Sequence, residues 1–475
     1  MENIRFDFNN MFSANLGKGR GVEEEDIAGA AESVRKADER LQGILADAYA
    51  RIGLGLEWAR LPFQEDEVIS GIQALGKEIA AKYDNVISLG IGGSYLGLKA
   101  AQDALAEPYC NEFCERGKNK PRIYFEGNNL DPEPLNVLLK NLAPKKTCVV
   151  VISKSGETTE TKAAFMVVEN WLKKAVGKNY GRQVIAITDP ESGSLRKIVD
   201  GAQKKDPLSF RSLPLLKGVG GRFSEFNMGL LHLAIIGVRV KQVLSGAQEM
   251  AARCARRDLA QNPAYMYALL HYLLYRNKGK DLSVMMPFSE SLKSTADWYV
   301  QLLAESLGKK YDRKKNIVNV GRTPLPARGT TDLHSIQQNN VEGEENKVVT
   351  FIRVEKFKHE IRIPGKDDLL SGKSFGGLLK LAQEATEWAL VREGRPNCAI
   401  ILPELSAYHW GALLFFFEMS VAFEGELLDV NAFDQPGVEG YKKYMYYKLG
   451  KPGISQDIAN EISNHPLVKN PKYIL

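Results

Sequence analysis

The chain reads as an α/β protein with two domains, each a mainly parallel sheet flanked by helices, and with helical extensions at both ends. Three observations predict this. Short, wholly apolar runs recur along the chain, and each is followed by Gly, Ser, Asn or Asp and then by an amphipathic stretch, the rhythm of parallel strands linked by helices. The rhythm stops for about fifty residues near the middle and then resumes. At 475 residues the chain is long enough for two or three domains of ordinary size.

Residues 23–60, rich in Ala, Glu, Leu and Arg, predict helices within an N-terminal extension, 1–61. A first α/β domain, 62–225, takes its strands from Val86–Leu89, Ile123–Phe125, Cys148–Ile152 and Val184–Ile187. Residues 226–269 form a helical connection, punctuated at Gly246 and Asn262–Pro263. A second α/β domain, 270–430, holds Leu282–Met286, a helix over Ser291–Leu307, then Val348–Val354 and Ala399–Leu402. A C-terminal helix and tail, 431–475, has its helix starting near Pro436.

Composition excludes several classes. The net charge of +5 is small for this length and argues against a nucleic-acid partner. Glu418 splits Leu413–Phe423, while His232 and Arg239 interrupt Met228–Val240, so no apolar run reaches the roughly 18–20 residues of a membrane span. Glu2, Asp7 and Asn9–Asn10 argue against an export signal. Five scattered cysteines (Cys110, Cys114, Cys148, Cys254 and Cys398) read as reduced, packed thiols of a cytoplasmic protein. No Cys/His spacing suits zinc, and His359–Glu360 lacks the second histidine of a metalloprotease helix, so no metal ligands are expected.

Two loops point to an anion. Cys148–Ile152 delivers Ser153–Lys154–Ser155–Gly156–Glu157–Thr158–Thr159–Glu160–Thr161 to a helix start, where unpaired N–H groups and hydroxyls suit a phosphate. Ser and Thr also favour caps, but five hydroxyls in nine positions favour the phosphate. The second loop is Gly90–Ile91–Gly92–Gly93–Ser94–Tyr95–Leu96–Gly97. Tyr95 occupies the third glycine position of the dinucleotide fingerprint, and no P-loop is present. That leaves either close backbone approach to a small ligand, with Ser94 as donor, or tight packing.

Gly220–Gly221–Arg222 offers a permanent cation suited to phosphate or an oxyanion, or a surface turn. Glu305 lies in the last turn of a helix capped by Gly308 and Lys309. The helix end disfavours a charged carboxylate there, an effect that suits a general base only if modest, and by propensity alone a solvated glutamate is favoured. His334, in the polar Gly329–Ser335 stretch, suits a titrating role, whereas His232 and His271 sit in apolar helices. The Tyr441–Lys448 segment mixes basic and aromatic residues and reads as an amphipathic helix.

Six segments in this order, Gly90–Gly97, Ser153–Thr161, Gly220–Ser224, Gln301–Lys309, Thr330–Ser335 and Phe433–Lys442, resemble the phosphoglucose isomerase family in its shorter bacterial-type form. The resemblance implies two sugar-isomerase domains and interconversion of glucose 6-phosphate and fructose 6-phosphate by ring opening and a cis-enediolate, with no cofactor. It implies phosphate binding at Gly93, Ser94, Ser153, Lys154, Ser155, Thr158 and Gln435. It makes Glu305 the base between C2 and C1, His334 the ring-opening residue with Lys442 as its partner, and Arg222 the cation beside the enediolate. A homodimer with a shared active site, the histidine coming from the neighbouring subunit, is also implied. Glu126, Glu225–Phe226–Asn227 and Leu333 depart from residues common in the family, at positions concerned with packing. A sugar-phosphate sensor without catalysis and an isomerase of another hexose phosphate are the alternative readings.

Overall fold

The computed structural model describes residues 2–113 and 120–475; Cys114 lies outside them. The first sheet contains β2 (Asn85–Leu89), β3 (Arg122–Glu126), β4 (Thr147–Ile152), β5 (Val184–Thr188) and β6 (Arg211–Pro214), in the order β3-β2-β4-β5-β6. Every neighbouring pair is parallel. Strands β2, β4 and β5 are buried along their whole length, as expected where helices cover both faces. Helix α1 (Leu96–Leu105) follows β2 and α2 (Thr159–Val176) follows β4. Phe165, Val168 and Leu172 of α2 pack into a core with Val149, Val151, Val184 and Ala186.

The connecting helices are α3 (Val240–Cys254) and α4 (Pro263–Lys278). Gly246 does not punctuate them: it lies inside α3, where any Cβ would run into the Tyr408 carbonyl. Gly411 opposes it across the crossing, so two missing side chains let the backbones close up.

The second sheet runs β1-β12-β11-β7-β10. Its parallel members are β7 (Leu282–Pro287), β10 (Thr323–Pro326), β11 (Lys347–Lys356) and β12 (Asn397–Glu404). The N-terminal extension is therefore not wholly helical: β1 (Arg5–Asp7) joins this sheet antiparallel to β12. Strands β1, β6 and β10 are sheet-edge pieces of three or four residues, too short to leave an apolar run in the sequence. A separate hairpin pairs β8 (Lys309–Tyr311) with β9 (Ile317–Val320).

Helix α5 (Lys293–Leu307) follows β7, α6 (Phe375–Arg392) follows β11, and α7 (Ala407–Leu427) follows β12. Helix α7 is buried from His409 to Glu426 on every face, as a helix at the centre of a large domain must be. It packs on α3, α4 and α5. No helix of the described residues is long and apolar enough to cross a membrane.

Both sheets belong to one compact unit ending at Ala432. The second unit, Phe433–Leu475, holds α8 (Glu439–Lys448) and a helix over Gln456–Asn464.

Candidate active site

In the first sheet the chain moves from β2 outward to β3, then returns past β2 to β4. Loops leaving two adjacent strands in opposite directions open a crevice at their carboxyl ends, the usual ligand position in such sheets. The loops that leave β2 and β4 are Gly90–Gly97 and Ser153–Thr161, so the fold brings the two sequence candidates to one crevice. Gly127, after β3, lies between them: its carbonyl accepts from Thr161 Oγ1 at 3.2 Å, and Gly90 N–H donates to the Glu126 carbonyl.

The Ser/Thr loop is internally braced. Ser153 is buried, and its hydroxyl accepts from Gly156 N–H at 3.0 Å. Ser155 Oγ accepts from Glu157 N–H at 3.1 Å, while its carbonyl accepts from Ser194 N–H. Gly156 has φ +75° and is pressed against Ser194 and Leu195, so a side chain there would be both strained and obstructed. Thr158 is the N-cap of α2 but makes no side-chain cap bond, and Lys154 is exposed beside it. A helix start whose donors are not taken by the cap residue retains capacity for an anion.

Of the two roles that its sequence left as alternatives, the structure shows the packing role of the Gly90–Gly97 loop. Gly93 is buried, and a Cβ there would collide with the Gly221 carbonyl; Gly92, with φ +59°, faces the Gln301 side chain. Here the glycines bring the loop against the Arg222 turn and α5. Ser94 remains half-buried at its end.

Arg222 is not on a surface turn. It is 1% exposed, with Nε donating to Ser306 Oγ at 2.8 Å and Nη2 to the Ala432 carbonyl at 2.6 Å. Nη1 donates to Glu305 Oε2 at 3.3 Å. Gln301 Nε2 donates to the other oxygen of Glu305 at 3.3 Å, one helical turn earlier, and Lys309 Nζ holds the Glu305 carbonyl at 2.8 Å. The Glu305 side chain is 27% exposed. Two fields therefore oppose each other on this carboxylate, the negative end of α5 and the adjacent guanidinium. A carboxylate open to solvent on one side and fixed on the other can exchange a proton with a bound carbon acid, and a guanidinium beside it is suited to charge developing on an oxygen.

Sequence reasoning named Glu305 and Arg222 but not Gln301, Ser306 or the Ala432 carbonyl that fix them. Only the Gln301–Glu305 spacing of one turn was a readable signal. His334 lies in a short 3-10 turn after β10, exposed, and no hydrogen bond joins it to Glu305 among the described residues. Lys442 lies on α8 in the C-terminal unit, where its Nζ pairs with Glu439 at 2.7 Å; Gln435 precedes that helix. His232 and His271 are fully enclosed, and burial holds both neutral, His232 down to about 3. Among the described residues no group of three or more His, Cys, Asp or Glu side chains is placed to hold a metal ion.

The phosphoglucose isomerase family profile matches residues 62–464. The chain belongs to that family. The glucose-6-phosphate isomerase of Carboxydothermus hydrogenoformans is 40% identical over 99% of both chains, and that of Symbiobacterium thermophilum 36% identical over 91% of this chain and 94% of its own. Among solved structures, a hypothetical protein from Thermus thermophilus superposes with TM-score 0.81 at 32% identity, covering 94% of this chain and 99% of that one. A glucose-6-phosphate isomerase from Chlamydia trachomatis shares the fold, with TM-score 0.76 at 21% identity and 96% coverage of each chain. Phosphoglucose isomerase membership fits the fold above, parallel sheets flanked by helices with loops converging at a strand switch point.

Proposed function

We propose that this chain interconverts glucose 6-phosphate and fructose 6-phosphate, and that the loops at the β2/β4 crevice and the Arg222–Glu305 pair are its active site. The single observation that carries the site is the close approach of Gly92–Gly93 to Arg222 and Gln301, which puts a phosphate-suited loop beside a fixed acid–base residue.

Ser94, Ser153, Lys154, Ser155, Thr158 and Gln435 hold the phosphate. Binding the remote phosphate supplies the energy that orients the sugar carbons. Once the ring is open, the C2 proton of the aldose is acidified by the neighbouring carbonyl. Glu305 removes it, and the same carboxylate returns it to C1 to give the ketose. The electron pair left by the proton moves onto the carbonyl oxygen O1, and Arg222, whose geometry is set before the reaction, stabilises that oxyanion; as C1 takes its proton, the hydroxyl proton of O2 passes to O1 and C2 becomes the carbonyl carbon. His334, with Lys442, handles the ring-opening proton.

The exposure of His334 supports its supply to a second subunit, and hence a homodimer with a shared site. Free, buried Cys148, Cys254 and Cys398 support a reducing, cytoplasmic setting. The test is Glu305→Gln, read as exchange of the C2 proton with solvent: exchange should vanish while fructose 6-phosphate still binds, and full exchange removes Glu305 from the role. Mixed Glu305→Gln and His334→Ala subunits should regain activity after subunit exchange. A protein that binds fructose 6-phosphate but does not turn it over in a coupled assay would be a sensor instead.

A further inference from the structure

Glu225 directly follows the Arg222 turn, yet its side chain is buried, 2% exposed. Trp298 Nε1–H donates to its Oε1 at 2.8 Å. Backbone N–H groups of Ser224 and Glu225 also lie toward the Glu225 carboxyl, but its Oε2 and both oxygens of Glu418, wholly enclosed on α7, make no geometrically sound hydrogen bond to an N–H or hydroxyl. The two carboxyl groups face each other at hydrogen-bonding range instead. No ion pair reaches either of them among the described residues. Two carboxylates in such a place cannot both be charged. One proton between them converts the orphaned oxygens into a short, charge-assisted hydrogen bond.

The pair joins the segments that build the site. Trp298 lies on α5, two turns before Glu305 and on the same side of the helix. Gly97, at the start of α1, lacks the side chain whose Cβ would meet the Glu225 carboxyl, so Glu225 occupies that space. The Arg222 turn, the Glu305 helix and the Gly90–Gly97 loop are thereby fastened to one buried group, and Glu418 anchors that group to the central helix.

We infer that Glu225 and Glu418 form a one-proton carboxylic acid–carboxylate pair that positions Arg222 against Glu305, making Glu225 a positioning residue for the proton transfer. The inference rests on the placement of Arg222 and Glu305 at the reacting centre. The groups facing the pair are Trp298 from α5, the backbone of Gly97 from α1, the backbone N–H groups of Ser224 and Glu225 and, three residues away in the chain, Arg222, whose guanidinium is turned to Glu305, Ser306 and Ala432.

Burial pushes the Glu225 carboxyl up to about 7 and that of Glu418 well above the usual carboxylate range. The one-proton state therefore prevails above about pH 7, with Trp298 N–H and the Glu418 acid both donating to the Glu225 anion. As the pH falls through that value a second proton enters, and it has no acceptor. The clamp should loosen in the acid direction.

The experiment is a kcat and KM profile from acid to alkaline pH for the parent protein and for Glu225→Gln, Glu225→Ala and Glu418→Gln, with infrared difference spectra of the carboxyl C=O band. Parent kcat should rise through about pH 7, and Glu225→Gln should lack that rise while retaining alkaline kcat within about threefold. Glu225→Ala should lose about 10–100-fold in kcat with KM changed less than about threefold. A protonated-carboxyl band should be present at about pH 8 in the parent and absent in Glu418→Gln. A rise that persists in Glu225→Gln, a missing band in the parent, or a Glu225→Ala protein that melts earlier but keeps its kcat per folded molecule each overturns the inference. If Glu225→Ala does not fold, the glutamine variants and the band still decide. Proton exchange surviving in Glu305→Gln with the band intact overturns the site assignment and not the pair.

Discussion

Among the described residues two arginines are buried, Arg222 and Arg322, and they differ in the carboxylate each one meets. Arg322 takes Glu424 with both arms of its fork, at 3.0 and 2.5 Å, and Ser283 with the remaining nitrogen at 2.7 Å. Glu424 is 1% exposed, so that pair is closed to anything from outside. Arg222 reaches Glu305 with one nitrogen at 3.3 Å, and Glu305 stands 27% open. Burial of a cation is common to both. An accessible carboxylate beside it suits the reactive role proposed for Arg222, and bidentate closure suits a structural one for Arg322.

The contrast can be broken at four points. Glu305→Gln should lower kcat by about 10²–10⁴-fold, since it removes the proposed general base while leaving the shape; a loss under tenfold, measured in a coupled assay, would make Glu305 no more reactive than Glu424. Glu424→Gln should cost about 3–5 kcal/mol in urea unfolding, because Arg322 is left as a buried, under-compensated charge. Its kcat per folded molecule should stay close to the parent value, and a parallel collapse of kcat would erase the distinction. Arg222→Lys keeps the charge but cannot point at Ser306, Glu305 and Ala432 together, so kcat should drop by about 10²–10³-fold with folding preserved by circular dichroism. Ser306→Ala removes one partner of Arg222 and should cost about 1–3 kcal/mol by thermal melting; no change would mean that Ser306 does not fix the guanidinium.

The same contrast explains what could be read from the sequence alone. Runs such as Thr147–Ile152 are apolar throughout because both faces of their sheet are covered, so central strands show in sequence. Edge strands such as β1, β6 and β10 are half-covered and brief, and carry no comparable pattern. The loops were legible because hydroxyls and glycines concentrate where a strand gives way to a helix. The fixation of Arg222 was not, since Ser306 and the Ala432 carbonyl come from 84 and 210 residues away. Glu225 was visible as an odd residue after Gly-Gly-Arg, but only the fold supplies Trp298 and Glu418 to receive it. Gly246 shows the reverse: a glycine that looks like a break in sequence is a crossing point between two continuous helices.

Strand β1 has a consequence for how the chain is made. Arg5 pairs with Ile401, so the edge of the second sheet is sealed by residues synthesised long before their partner. At about 5–20 residues per second the ribosome needs roughly 20–80 s to cover that interval. Throughout it, the β1 segment has no β12 to dock on, and once β12 emerges its outer edge stays open until β1 returns. An open strand edge invites pairing with other chains. Bulky fusions ahead of β1 should therefore be felt first as aggregation during synthesis, at an edge remote in sequence from the fusion itself.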